Sequence, residues 1–316
     1  MREIITVTGK LDPSEVKFCQ FHEHLLLRKG RSFEIHPALW MENLQLSAQE
    51  ALSYRKAGGT MLIDAQPGGC GRMADGLAEI SKKTGVQILC STGFHKMIFY
   101  PEDHWIFLKT AEELEEYFVR ELTLGVCNGG DMVFGEAEGD QRAGMIKCAL
   151  DTENLTPQYE KLFRAAAGAA VRTDRTMMVH IEKGSDPLLL LDFLLTQGVD
   201  PAHLVFCHMD RAVADLGIHQ EVLRHGVYLE FDTIGRFKYH SDQHEAEIFK
   251  KLLDAGFEDQ LLFSLDTTRE RMRAYHPQGV GLDYILNTFL ATLKAAGVTE
   301  EQIQKISRDN CIRALL

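Results

Sequence analysis

The sequence predicts an α/β protein, a closed (β/α)8 TIM barrel forming a single domain over residues 1–316. Three observations predict it. Short apolar, β-prone segments alternate with amphipathic helical ones from end to end. No Pro/Gly/Ser-rich linker or low-complexity tract divides the chain. With 316 residues, 45% of them hydrophobic, the chain is long enough for one large core.

The strand segments are 18–22, 60–64, 86–91, 143–148, 176–180, 203–208, 227–231 and 261–265. Most are near-continuous apolar runs, as expected of parallel strands covered on both faces. Helical segments fall between and after them at 47–57, 72–84, 111–124, 157–172, 187–197, 213–225, 243–256 and 281–296. In 157–172, Pro157 suits a first turn, and Leu162, Ala165, Ala166 and Ala169 share one face. A doubly wound open sheet is the structural alternative. Neither GxGxxG nor GxxxxGK[ST] follows an early strand, so the usual nucleotide-binding signals of an open sheet are missing.

Composition narrows the function classes. The net charge is −12, and acidic and basic residues are mixed along the chain without a Lys/Arg cluster, so no nucleic-acid partner is expected. No apolar run reaches the ~18 residues of a membrane span. The N-terminal stretch MREIITVTGKLDPSEV lacks the plan of a signal peptide. Cys19, Cys70, Cys90, Cys127, Cys148, Cys207 and Cys311 are scattered and odd in number, which fits small buried residues in a reducing compartment. The cytoplasm is the expected location.

The sharpest local signal is FHEHLL, which places His22 and His24 at the end of the first strand. Residues i and i+2 of a strand face the same side, so both imidazoles can approach one metal ion. Alone, the pair is as well explained by two incidental histidines. However, His180 closes the run TMMV, His208 closes LVFC and Asp266 closes LLFSL. A single histidine in such a place is more often structural; two at equivalent ends of consecutive strands reverse that reading. In a barrel these ends meet at one rim. Lys147, in RAGMIK, ends the fourth strand segment. Its bland reading is a packed stem with a solvated ammonium. An ammonium has no acceptor for a metal, but a lysine that has reacted with CO2 becomes a carbamate with two anionic oxygens, one for each of two metals.

On these residues the chain resembles the phosphotriesterase family of the amidohydrolase superfamily, in its branch of phosphotriesterase homology proteins and phosphorylated sugar lactonases. The likeness runs from FHEHLL through GRMADGLAEISKKTGVQILCSTGF to the C-terminal region. It implies two divalent metal ions per chain: His22, His24 and Asp266 on the more buried, His180 and His208 on the more exposed. Carboxylated Lys147 and a hydroxide would bridge them. Zinc suits this ligand set, and manganese or cobalt could occupy it. Some relatives bridge with Glu; Glu136 in FGEAEG is the nearest competitor, although RAGMIK matches the lysine pattern and Glu136 and Glu138 read as polar loop residues. Asp266, both ligand and hydrogen-bond acceptor, is the expected catalytic proton acceptor.

Substrate choice falls to the loops after the strands. Arg236 and Lys238 follow the seventh strand; Arg269, Arg271, Arg273 and Tyr275 follow the eighth; His95 and Lys96 follow the third. Singly these are as readily a solvated surface. As a group of cations beside a metal pair, they point to a small anionic substrate, with Lys238 and Arg269 the leading contacts. The resemblance turns this into a phosphorylated sugar lactone, a sugar-1,4-lactone 5-phosphate opened by the bridging hydroxide. Thr233 stands where the organophosphate-cleaving branch carries a histidine, which counts against triesterase activity. Hydrolysis of an acyl-homoserine lactone, an N-acyl amide or an organophosphate triester is the enzymatic alternative. A metal-bearing protein that binds a ligand without turnover is the other. A homodimer is expected by the same resemblance.

Overall fold

A short antiparallel hairpin, β1 (Ile4–Thr6) and β2 (Gly9–Leu11), precedes eight strands that form one sheet. These are β3 (Cys19–Glu23), β4 (Met61–Asp64), β5 (Gln87–Gly93), β6 (Met145–Leu150), β7 (Met177–Ile181), β8 (Leu204–Cys207), β9 (Tyr228–Phe231) and β10 (Leu261–Phe263). The computed structural model describes residues 3–135 and 140–316; Glu136 and Glu138 lie outside the described residues. Each strand pairs in parallel with its sequence neighbour. Past β10, the Asp266 N–H donates to the His22 carbonyl at 3.1 Å, which closes the ring onto β3. The architecture is the expected (β/α)8 barrel.

Two apolar cores follow from strands covered on both faces. Inside the barrel, Phe21, Ile63, Leu89, Met145, Met178, Val205 and Leu262 pack together. Ile4 and Leu11 of the hairpin and Cys311 and Leu315 of the C-terminal helix Asn310–Leu315 pack into the same cluster. Outside, residues such as Leu62, Ile88, Val179, Phe206 and Phe263 meet the helical layer. Burying one such Leu or Phe side chain contributes roughly 1.5–3 kcal/mol.

Helix starts are set by local chemistry. Asn43 accepts from the Gln45 and Leu46 amides, so the first long helix, Leu44–Ala57, begins earlier than the apolar pattern suggests. Thr110 and Glu113 form a reciprocal capping box, and Thr156 caps the helix that opens at Pro157. The expected helix 213–225 is instead two pieces, Met209–Ala212 and Leu216–Arg224, the second capped by Asp215. The expected helix 281–296 starts with a π turn, Ile285–Phe289, and continues as Leu290–Ala295.

Two details of the strands position the site. Cys19 and Phe21 belong to the inner core, whereas the Gln20 amide donates outward to the Leu282 carbonyl at 2.8 Å. Pairing with β4 then shifts register between Gln20 and Glu23, an irregularity that re-aims His22 into the barrel. Gly93 ends β5 at φ +106°, and a Cβ there would collide with the Lys147 carbonyl, so only glycine lets β5 approach β6 at that point. Lys147 is not at the end of its strand as expected. It is the third of six residues in β6, pointing into the barrel.

Candidate metal centre and substrate cavity

The six side chains singled out in the sequence converge at the C-terminal mouth of the barrel. The Lys147 amine lies 3.2 Å from His22 Nε2. Asp266 Oδ1 lies 3.5 Å from His24 Nε2 and 3.9 Å from His22 Nε2. Ring centres are 4.9 Å apart for His22 and His208, and 4.3 Å for His180 and His208. His208 and Asp266 both adopt left-handed backbone, at φ 63° and 47°, where their strands turn into loops. Such backbone in non-glycine residues clusters at functional sites.

The donor set fits a pair of divalent cations. Burial, assisted by the nearby Lys147 charge, lowers His22 to about 4. Burial likewise lowers His180 to about 4 and holds His208 well below the ordinary imidazole range. These rings are therefore neutral near pH 7, each with a lone pair for a metal. His24 Nδ1 is buried with no hydrogen-bond partner among the described residues. Lys147 is wholly buried, and its amine contacts His22 and, at 3.6 Å, the Met178 sulfur. Among the described residues no carboxylate pairs with an ammonium there, and an unpaired charge is costly in a dry interior; a carbamate on that nitrogen would bring anionic oxygens to the same point.

Carboxylates behind the histidines fix which nitrogen faces the centre. His208 Nδ1 lies 2.6 Å from Asp232 Oδ1, and His22 Nδ1 lies 3.2 Å from Glu230 and 3.3 Å from Asp232. Burial works to raise the Asp232 carboxyl, but the two imidazoles outweigh it and hold it well below the usual range. Sequence reasoning missed Glu230 and Asp232 as supports; their signal was two acids at alternate positions of the otherwise apolar run YLEFD. Glu23, between the two histidines, is also a support. Its carboxylate accepts from the Leu265 and Thr267 amides and, at 2.7 Å, from the Thr267 hydroxyl, pinning the segment that carries Asp266.

A cavity of about 580 Å³ opens over this centre, lined in part by His22, His24, His180, His208 and Asp266. Among the expected substrate contacts, Arg236, Lys238, Arg271, His95 and Lys96 line it. Arg236 donates to the Asp266 carbonyl and stands 3.0 Å from Asp266 Oδ2. Arg271 donates to the Ile234 carbonyl at 2.6 Å; burial and the neighbouring Arg236 push it down to about 10. The Nε atoms of both arginines are buried with no hydrogen-bond partner among the described residues.

Arg269, Arg273 and Tyr275 are not among the residues lining this cavity. The Arg269 guanidinium lies 4.9 Å from the Trp40 ring centre and 5.7 Å from that of Tyr275, in a separate groove. Arg273 pairs with Asp283 and donates to the Val280 carbonyl. The Tyr275 hydroxyl is taken up by Asn43 and Ser47. Alternation along DTTRERMRAYHP is not strand-like, so spacing could not sort inward cations from outward ones. Lys96 is in the wall, but its ammonium is engaged by Glu182 at 2.7 Å and Asp151 at 3.5 Å. Sequence reasoning also missed Glu182 and the apolar wall of Leu27, Ile35, Leu39 and Phe99.

The loop that carries Arg236 and Lys238 is tied down at its base. Asp210 accepts from the Thr233 amide and hydroxyl, both at 2.6 Å, and the Thr233 hydroxyl meets His240 Nε2 at 2.9 Å. Burial opposes a charge on His240, but Glu245 at 2.9 Å outweighs it and raises the imidazole from 6.5 to about 9. A histidine raised in the folded state contributes stability that is complete below pH 6.5 and lost as pH rises through about 9. Thermal unfolding midpoints of the wild type should therefore fall across that window, and His240→Gln should flatten the fall. A variant curve parallel to wild type would reject the pair as its source.

The phosphotriesterase family profile matches residues 2–315. A phospho-furanose lactonase of Mycoplasmopsis synoviae is 28% identical, covering 98% of this chain and 90% of that protein. An N-acetyltaurine hydrolase of Danio rerio is 26% identical, covering 98% of this chain and 96% of that protein. Among solved structures, a lactonase of Listeria monocytogenes superposes with a TM-score of 0.89 at 27% identity, covering 99% of both chains. With this profile match and the barrel beneath it, the chain belongs to the phosphotriesterase family, a family of metal-dependent hydrolases.

Proposed function

We propose that this protein opens the ring ester of a phosphorylated sugar lactone. One observation carries the reading: three cations, Arg236, Lys238 and Arg271, line the same cavity as the histidine–aspartate cluster, and the Nε atoms of the two arginines are buried with no partner among the described residues. Unpaired buried donors beside one another are costly unless an anion completes them, and a phosphate group does so with charge-assisted hydrogen bonds. The relative named a phospho-furanose lactonase supports the same substrate class.

In this reading His22, His24 and Asp266 would hold one divalent ion and His180 and His208 the other, and Lys147, as its carbamate, would supply anionic oxygens to the pair. Bound there, the ions would supply Lewis acidity for the ester carbonyl and an activated water. Asp266 accepts the proton released at attack and returns it to the leaving ring oxygen. Arg236 keeps the Asp266 carboxylate ionised and oriented for that step: burial raises this carboxyl, and Arg236, with the imidazoles, holds it well below the usual range. Arg271 and Lys238 hold the phosphate away from the reacting bond, so binding energy fixes the ring over Asp266. Thr233, whose hydroxyl is used by Asp210, offers no protonatable side chain where triesterases carry histidine.

A pH-indicator screen of lactones with and without a phosphate tests the proposal; acid release should depend on the phosphate. Arg271→Met or Lys238→Ala should raise KM for a phosphorylated lactone roughly tenfold to a hundredfold, the scale of one or two hydrogen bonds to a charged group. The dephosphorylated analogue should be little affected. Equal effects on both substrates would remove the phosphate grip.

The apolar wall of Leu27, Ile35, Leu39 and Phe99 favours a second reading, hydrolysis of a lactone or amide bearing an acyl chain. The relative named an N-acetyltaurine hydrolase supports this reading, since N-acetyltaurine joins an amide bond to an anionic sulfonate. Turnover of N-acyl amino sulfonates in preference to every sugar lactone would select it.

A further inference from the structure

A second cavity, of about 400 Å³, shares Tyr239 with the substrate cavity. Asp210 and His240 line it. Asp210 comes from the short helix Met209–Ala212, His240 from the loop that carries Arg236 and Lys238, and Glu245 from the first turn of the helix Asp242–Asp254. One donor atom from each of these three residues lies within 4.8 Å of the others. Ligands ~2.1 Å from one ion stand ~3–4 Å apart, so small side-chain rotations bring the three onto a common ion.

The oxygens at this point are not used up by the fold. Asp210 Oδ2 accepts from the Thr233 amide and hydroxyl. Asp210 Oδ1 and both carboxylate oxygens of Glu245 are buried with no hydrogen-bond partner among the described residues. Asp210 is 8% exposed and Glu245 0%. Glu245 Oε2 is 2.9 Å from His240 Nε2, a contact of charges without hydrogen-bond geometry, and that nitrogen is also 2.9 Å from the Thr233 hydroxyl. Unpartnered carboxylate oxygens in a dry interior call for a cation. An imidazolium at His240 offsets one of the two carboxylates; a divalent ion offsets both. Lys183 and Lys251 line the same cavity but are exposed, where water and salt screen them, and Arg211 faces Glu182 at 3.8 Å.

We propose that Asp210, His240 and Glu245, with the Thr233 hydroxyl beside them, form a further cation site that takes one divalent transition-metal ion, separate from the centre at the barrel mouth. One imidazole and two carboxylates suit manganese or zinc, whereas calcium and magnesium favour all-oxygen sets. None of these residues is a ligand in the two-metal reading, so the inference stands apart from it. An ion here ties the two helices to the base of the loop that presents Arg236 and Lys238 to the substrate cavity.

The test titrates chelator-stripped, full-length protein with manganese alone and counts bound ions by the loss of the free-ion electron paramagnetic resonance signal. Glu245→Gln and His240→Asn should each bind one manganese ion fewer per chain than wild type. Adding Glu245→Gln to a His22→Asn chain should remove one further ion, because the two sites are independent. Long-range proton–nitrogen spectra of zinc-loaded wild type should place zinc on His240 Nε2, a readout that needs no variant to fold. Equal manganese counts in wild type and both variants, or a His240 ring free of zinc, would overturn the inference. So would inorganic phosphate, in place of manganese, being the ligand that slows amide exchange across 233–241: the cavity would then be an anion pocket.

Discussion

Replacing Lys147 with methionine is expected to strip most of the metal from the protein and to lower turnover about 10³-fold, the scale on which one electrostatic support of a transition state acts. The barrel should survive the change. Lys147 is wholly buried, with His22 and the Met178 sulfur as its polar contacts, so methionine fills a similar volume without leaving a charge unpaired. Exchanging a buried charge for a well-packed apolar side chain is often neutral or stabilising. Metal-free Lys147→Met should therefore melt no lower than metal-free wild type, while elemental analysis finds little zinc in the variant. Retention of two ions together with the wild-type rate would show that the bridge lies elsewhere.

Asp266→Asn should lower kcat by about 10²–10⁴-fold, the usual contribution of a positioned proton-transfer group. The amide keeps the shape of the side chain but loses the charge that meets His24 and Arg236. A companion variant separates the proton role from metal binding. In Arg236→Met the cation that outweighs burial at Asp266 is gone, so its carboxyl rises and the acid limb of kcat should move to higher pH. The carboxylate must be ionised to accept a proton, so the shift can run only in that direction. An Asp266→Asn rate within tenfold of wild type would exclude Asp266 as the acceptor.

Much of this architecture was legible before any coordinates. Eight apolar runs announced eight strands because parallel strands under helices need apolar residues on both faces, and each of the eight barrel strands overlaps its expected segment, whereas the hairpin Ile4–Leu11 had none. The candidate centre was legible because five of its members stand at or near strand ends, where sequence position translates into spatial position; Lys147, in the middle of β6, was legible only through the pattern RAGMIK. What escaped reading depends on side-chain reach and local irregularity. No residue type marks the register shift between Gln20 and Glu23, yet without it His22 would follow Gln20 toward the helices. Arg269, Arg271 and Arg273 are equivalent as letters; only the path of the loop sends Arg271 to the cavity and the other two to Trp40 and Asp283. Glu182 was hidden because its meaning lies in Lys96, which is distant in sequence.

The hydrogen bond from Asp266 to the His22 carbonyl has a consequence for how the protein matures. The bond that joins the last strand's end to the first is made by two members of the candidate metal cluster, and these come from opposite ends of the barrel's chain. A growing polypeptide has no complete nest for its metals until that final turn docks. In the proposed two-metal reading, loading therefore belongs to the last step of assembly, and an ion captured there would act as a clasp against reopening.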